Sequence, residues 1–331
     1  MFNNRIKIFV AIIVCSFCFW PKLSLALTIT PLILEVELDP GQQAERLVAV
    51  YNETDQDMYL TGAIETFKPK GDQGGVDILS SDLTNASINW LKLSDNSILL
   101  PAHKTAKVPV IFNIPKTATV GGYYLAAMWQ TSSGPKRPGS QINISSRVGT
   151  LILLKVRGEV KEELALKSLR LEGDNWQFAF GPALNKFVKE NNIFQNDQLT
   201  LVSSVTNHGN VHLKPQGYII VKNIFGRVIM SLPFNGLGNN ILPQSDRQFT
   251  DNLSTAEIKP ANIKQAISKS FASWRLGRYS VRLAVEYGEN RQALESAEIY
   301  FWLLPPLSLL AVLVVIILIL IFIFICRRRK K

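Results

Sequence analysis

The chain has 331 residues, 19% charged and 47% hydrophobic, and a formal net charge of +10. The excess charge sits at the ends: three basic residues before residue 27 and five after residue 326 leave 28 Lys and Arg against 26 Asp and Glu in between, a net of +2. So balanced a middle lacks the basic face that nucleic acid needs, and its want of any cysteine (Cys15, Cys18 and Cys326 are all near the ends) excludes a disulfide framework, a thiolate metal site and a cysteine nucleophile there.

Residues 1–26 read as a signal peptide. Arg5 and Lys7 form a basic start, and Ile8–Trp20 is an apolar stretch of 13 residues, short for a bilayer span. Ser24-Leu25-Ala26 places small residues where a signal peptidase reads, so cleavage is expected between Ala26 and Leu27; the alternative is an uncleaved anchor. About 270 residues follow before the last apolar stretch, enough for two ordinary domains.

The first expected domain, 27–160, is a series of strands. Ile33–Leu38 ends at the turn Asp39-Pro40-Gly41; Leu47–Tyr51 ends at a polar turn over residues 52–57; Met58–Phe67, Ala106–Ile114, Tyr123–Thr131 and Ile142–Val156 follow. Ser87–Leu93, with Trp90, reads as a buried loop or a single helical turn. The second, 161–300, starts near Leu164. Trp176, Phe178 and Phe180 alternate as one face of a strand, and Leu199–Thr206, Tyr218–Val221, Val228–Leu232, Tyr279–Tyr287 and Ala293–Phe301 are further strands. One helix is expected after the capping-box pattern Ser254-x-x-Glu257, with Ile263, Ile267, Phe271 and Trp274 on one face.

The two halves carry the same landmarks in the same order. Val50-x-Asn52 precedes Gly62-x-Ile64 as Val205-x-Asn207 precedes Gly217-x-Ile219, at an offset of 155 residues. Leu100-Pro101 corresponds to Leu242-Pro243, and Gly121-x-Tyr123 to Gly277-x-Tyr279. These positions point to tandem sandwiches with structural roles for the Asn, Gly and Tyr, the last as a tyrosine corner. The expected fold is mainly β: two tandem immunoglobulin-like antiparallel β-sandwiches followed by one transmembrane α-helix.

That helix falls in 301–326. Leu307–Ile325 is 19 residues without a charge, enough to span a bilayer core as a helix. Tyr300 and Trp302 suit the outer interface, and the tail 327–331 (Arg327, Arg328, Arg329, Lys330, Lys331) is a stop-transfer signal that belongs in the cytoplasm. Leu304-Pro305-Pro306-Leu307-Ser308 departs from a sortase signal, which needs Thr-Gly in place of Leu-Ser, so a permanent single-pass cell-membrane anchor is expected, with the bulk extracytoplasmic.

No motif for enzyme chemistry occurs: no Gly-x-Ser-x-Gly, no His-Glu-x-x-His and no phosphate-binding glycine loop. His208 and His212 lie four apart without a third ligand nearby in sequence, and Asp55-x-Asp57 lacks the further oxygens a calcium ion needs. No catalytic residue, cofactor or metal is expected. The exposed loop Ser132–Gln141, with Lys136 and Arg137, is the candidate binding loop.

Ile29-x-Pro31, Asp39-Pro40-Gly41, Val50-x-Asn52, Trp90-Leu91, Leu100-Pro101, Ile114-Pro115, Gly121-Gly122-Tyr123-Tyr124, Arg147-Val148-Gly149 and Val156-Arg157-Gly158-Glu159 occur in this order. This run, over residues 27–160, resembles the N-terminal domain of the WxL-interacting protein family of bacterial surface proteins. The resemblance implies peptidoglycan binding by the first domain and partner contact by the second, and assigns neither to a residue. The expected function is a non-enzymatic, membrane-anchored bacterial surface protein whose partners are the lipid bilayer, peptidoglycan and another surface protein. The alternative is a membrane-tethered periplasmic assembly chaperone or enzyme on the same sandwiches: a chaperone would expose an unpaired strand edge, and an enzyme a polar cleft.

Overall fold

Alternating apolar and polar residues build the strands, and the apolar phase of each one decides which face is covered. The structure, a computed structural model, describes residues 27–80, 86–132, 147–179, 181–253, 277–306 and 314–323. The chain divides into two compact units: Met1–Phe67, Ile78–Thr119 and Tyr123–Arg157 form the first, and Lys68–Asp77, Val120–Gly122 and Gly158–Lys331 the second.

The first eleven elements are β1 (Leu27–Thr30), β2 (Ile33–Leu38), β3 (Gln43–Asn52), β4 (Met58–Lys70), β5 (Gly75–Leu79), a 3-10 turn (Ala86–Trp90), β6 (Leu91–Leu93), β7 (Ser97–Leu100), β8 (Thr105–Asn113), β9 (Gly121–Ser132) and β10 (Arg147–Val156). They make two sheets, ordered β1-β3-β8-β6 and β2-β10-β9-β4-β5, with β7 also on β4. Between β1 and β2 the chain changes sheets: Leu27–Thr30 runs antiparallel to the end of β3, and Ile33–Leu38 runs parallel to the end of β10. Val48, Val50, Val110 and Phe112 from one sheet meet Leu60, Leu125, Trp129, Ile152 and Leu154 from the other in a single core. Each such side chain contributes about 1.5–3 kcal/mol by leaving water. Trp129 needs Gly62 beside it, since a Cβ there would stand 2.7 Å from its ring.

The second series is β11 (Leu164–Glu172), α1 (Pro182–Glu190), β12 (Ile193–Phe194), β13 (Thr200–Asn207), β14 (Gln216–Asn223), β15 (Val228–Phe234), β16 (Ser245–Asn252), β17 (Gly277–Tyr287), β18 (Gln292–Glu295) and β19 (Ile299–Leu303). Its sheets are β11-β13-β16 and β12-β19-β17-β14-β15, with β18 also on β17. Leu201, Val205 and Phe249 face Ile219, Val281, Leu283 and Phe301 across the second core.

The expectation of a strand through Trp176, Phe178 and Phe180 is corrected. One bridge, Asn175 to Phe194, is followed by irregular backbone with a turn at residue 179 and then by α1, and Phe180 lies outside the described residues. The side chains explain the irregular path. Asn175 Nδ2 donates to Ile193 O at 2.9 Å and Trp176 Nε1 to Leu304 O at 3.0 Å, while Pro182 suits a first helical turn. Ala293–Phe301, expected as one strand, is β18 and β19 with a break between them, where Leu283 N–H donates to Ser296 Oγ at 2.8 Å. The helix expected after Ser254 lies outside the described residues. Of the expected span Leu307–Ile325, residues 314–323 are described; they are helical, with exposed apolar side chains. Among the described residues no helix is long and apolar enough to cross a membrane.

The repeated Asn is the fixed point of each unit. Asn52, fully buried at the end of β3, donates from Nδ2 to the carbonyls of Gln56 at 2.7 Å, Leu100 at 3.1 Å and Pro101 at 3.2 Å. Its Oδ1 accepts from Thr54 N at 2.9 Å. Asn207, fully buried at the end of β13, donates to Val211 O at 2.8 Å and Ile241 O at 2.9 Å and accepts from Gly209 N at 2.8 Å. Each amide closes its own turn and clamps it to the turn that carries the Leu-Pro landmark.

Asn52→Ala and Asn207→Ala each leave buried carbonyls without a donor, at a cost of about 2–4 kcal/mol. Urea unfolding of the full chain, followed by tryptophan fluorescence, should show an early transition in either variant, and Asn→Asp should rescue neither because a carboxylate repels the same carbonyls. An unchanged unfolding curve in both alanine variants would refute the clamp.

Candidate functional site

Most of the residues singled out in the sequence have structural roles or lie beyond description. Lys136 and Arg137 of the candidate loop, Ala26, and the tail Arg327, Arg328, Arg329, Lys330 and Lys331 are outside the described residues; Leu27 opens β1 and is buried. The carboxylates of Asp55-x-Asp57 both staple the 101–103 turn: Asp55 Oδ1 is 2.8 Å from His103 Nε2, and Asp57 Oδ1 accepts from Ala102 N at 3.0 Å. His208 is exposed, and its N–H donates to Glu163 O at 2.8 Å. Among the described residues no group of three or more His, Cys, Asp and Glu could hold a metal. Tyr123 forms the expected corner, its hydroxyl donating to Thr119 O at 2.8 Å, and burial raises its pKa.

A depression of about 530 Å³ lies on the second unit, where Tyr218, Pro233, Glu286, Ala293 and Glu295 line it. Its two carboxylates have no nucleophile and base arranged beside them, and Arg282 Nη1 is 3.7 Å from Glu295.

The sheet change between β1 and β2 shapes a different kind of site. The β2–β10 ladder begins only at Leu151 opposite Ile33 and runs to Val156 opposite Leu38. Below it, Leu151 N–H still reaches Leu32 O at 2.9 Å, and Thr150 Oγ1 donates to Pro31 O at 2.6 Å. There β2 ends. Backbone groups alternate sides along a strand, so those of Arg147 and Gly149 point the same way as those of Leu151. Among the described residues no strand pairs with them on that side. The other half of β10 is locked, by the ladder and by ion pairs of Lys155 and Arg157 with Glu37 and of Arg157 with Asp39.

This short edge differs from the other exposed edges. Unpaired edges commonly carry charges or proline that discourage pairing. Glu45 and Arg46 stand on β3 beyond the reach of β1, Lys167 and Arg170 on β11, Asp246 and Arg247 on β16, and Pro233 on β15. On β10, Arg147 is paired with the Glu65 carboxylate, and Gly149 has no side chain; the space its Cβ would take is filled by Met128. Val148 faces the core in phase with Thr150, Ile152 and Leu154. No residue type announces this site; it follows from where one register stops.

No family model matches the chain, and no curated relative matches it either. Among solved structures it is similar to the class 5 fimbriae chaperone CfaA, with 13% identity, 84% of this chain and 99% of that chain covered, and a TM-score of 0.40. It is also similar to the CsuC–CsuE chaperone–tip adhesion subunit pre-assembly complex of archaic Csu pili of Acinetobacter baumannii (11% identity, 81% and 97% covered, TM-score 0.35). A third is the Salmonella enterica SafA pilin in complex with the SafB chaperone (12% identity, 86% and 99% covered, TM-score 0.34). By its own sheets and cores the chain is a mainly β protein of two sandwich-type units.

One titratable group is strained by its surroundings. Asp251 on β16 has a buried Oδ2 without a hydrogen-bond partner, and burial raises its carboxyl from an ordinary 3.8 to about 6. Between those values the folded chain keeps a proton that the unfolded chain has lost. The contribution of Asp251 to stability is therefore greatest below about 3.8 and is lost as pH rises through about 6. Discounted for partial solvent screening, Asp251→Asn should stabilise the fold by about 1–2 kcal/mol at neutral pH and by little near pH 4. Thermal unfolding of both chains across that range checks this; an equal gain at every pH would contradict it.

Proposed function

We propose that the chain is a membrane-tethered, extracytoplasmic, non-enzymatic module that holds an extended segment of another surface protein by strand addition to the Arg147–Gly149 edge of β10. Three observations carry this reading: among the described residues no strand pairs with Arg147 and Gly149 on the β2 side, the flanking charge is neutralised by Glu65, and β2 starts only opposite Leu151. It favours the assembly-chaperone alternative over a wall binder. In the sequence, Ile142 and Ile144 keep the phase of Val148 and Ile152, the apolar alternation such a groove would use. The tether is the apolar run Leu307–Ile325 with its basic tail. Peptidoglycan contact is the reading that the resemblance to the WxL-interacting family supports, and no described residue is assigned to it.

The test places a photo-crosslinking amino acid at position 32 of the full chain, exposed beside that edge, in its own envelope. Adducts should map to one extended segment of a surface protein. Arg147→Pro removes a single edge N–H at a strand's first residue, where proline is tolerated, and should weaken capture about fivefold, whereas Arg147→Ala should not. Equal capture by the two variants would reject strand addition. Salt-resistant retention of the full chain on purified sacculi, unaffected by Arg147→Pro, would make the glycan the ligand instead.

A further inference from the structure

The sheet β12-β19-β17-β14-β15 has one end from which the chain departs for the apolar run. The registers identify what else stands at that end. Leu303 of β19 is opposite Gly277 of β17, and Tyr279 of β17 is opposite Asn223, the last residue of β14. The hairpin tip that follows Asn223 therefore stands level with Leu303, two strands or about 10 Å across the sheet. That tip is Ile224-Phe225-Gly226, in which Phe225 is 89% exposed.

On the other side of β19, α1 occupies the same end. Trp302 N–H donates to Asn192 O at 2.9 Å, just after the helix. Trp176 Nε1 holds Leu304 O, the Trp176 ring stacks on Phe178 at 6.2 Å, and Phe178 is tied to Asn185 of α1 through two hydrogen bonds of 2.7 and 3.0 Å. Val188 and Asn185 turn the helix inward, while Leu184 and Phe187 are exposed and Lys186 and Lys189 are exposed beyond them.

The leash between this end and the apolar run is short. Leu304 is fixed on both sides, its N–H donating to Phe194 O at 2.9 Å and its carbonyl accepting from Trp176. Only Pro305-Pro306 separates it from Leu307, at most about 7 Å of chain. The headgroup zone of one leaflet is about 5–7 Å deep. A domain held that closely cannot keep its last residues in bulk water.

We infer that the second unit rests on the outer leaflet, with Ile224 and Phe225 at the hairpin tip and Leu184 and Phe187 on α1 dipping into the headgroup and upper acyl region, and Lys186, Lys189 and Arg227 meeting anionic headgroups. The occupant of this apolar rim is the lipid surface. Aromatic and apolar tips flanked by cations are the chemistry that an interface selects. The inference rests on the tether reading above and adds a second, peripheral contact to it.

The experiment uses the full chain, with Cys15, Cys18 and Cys326 replaced by Ser, in vesicles of phosphatidylcholine and phosphatidylglycerol. A polarity-sensitive fluorophore is attached to Phe225→Cys, Phe187→Cys or Leu237→Cys. Leu237 is the control: at 92% exposure it is as open as Phe225, but it follows β15 at the opposite end of the sheet, where Phe234 is opposite Gly217 and Gly217 opposite Val285. Labels at 225 and 187 should shift to the blue and lose emission to a spin-labelled lipid, and the label at 237 should do neither. If the chain is washed off the vesicles by alkaline carbonate, the tether fails and this contact with it. If the chain stays but 225 and 187 are no more quenched than 237, the tether stands and the inference is overturned. A blue shift that follows protein density and ignores the quenching lipid would assign the rim to a second copy of the chain, and would overturn it equally.

Discussion

Everything in each unit hangs from one buried carboxamide. A sandwich needs its two sheets held at a fixed offset, and the apolar core, being non-directional, does not supply one. Asn52 does, reaching from β3 to Leu100 of β7 on the other sheet, while Asn207 ties the turn after β13 to the turn before β16; an amide aimed at two or three backbone carbonyls has very few placements that satisfy it. With the turn after β3 clamped to the turn after β7, β8 starts in register beside β3, and Phe112 and Val110 fall opposite Leu60 and Trp129. Asn207 does the same for β13 and β16.

The site is a by-product of how the first strand is divided. A continuous strand could pair with β3 or with β10, but the chain serves both by changing sheets at Pro31, and each neighbour is left partly uncovered. On β3 the uncovered length carries Glu45 and Arg46. On β10 it carries a neutralised arginine and a glycine. Among the described residues, the same geometric compromise thus leaves a charged length of β3 and a length of β10 without such a guard.

Much of this was legible from residue order, and the failures have physical causes. β2 reads directly from ILEVEL between two turn signals, and the paired Asn, Gly, Leu-Pro and Tyr landmarks reveal the tandem because each makes a contact that few other residues can make. β16 is silent: SDRQFTDN buries only Phe249, and the strand is held by main-chain bonds to β13. The aromatic alternation through Trp176 and Phe178 misleads, because its order comes from an indole and an amide bonded to remote carbonyls. The helix α1 is announced only by Gly181-Pro182 and a single turn of apolar spacing. The open edge could not be read at all, since it is the difference between the length of β2 and the length of β10. The loop with Lys136 and Arg137 lies outside the described residues.

A third amide, Asn235, repeats the clamp in miniature: almost fully buried, it donates to Pro215 O at 2.8 Å and Asn239 O at 2.9 Å, and it is followed by Gly236. Asparagine is chemically the least durable residue to entrust with such a task, for hydrolysis of its amide replaces a donor by an anion. At Asn52, Asn207 and Asn235 that anion would be trapped against the carbonyls the amide once satisfied. Burial keeps water and backbone motion away from all three while the units are folded, so the fold protects the atoms that hold it. Each transient opening exposes them, and a molecule that has lost one amide cannot close as before. The lifetime of this chain is thus tied to how seldom its units open, and damage at these three positions would accumulate as a record of its age.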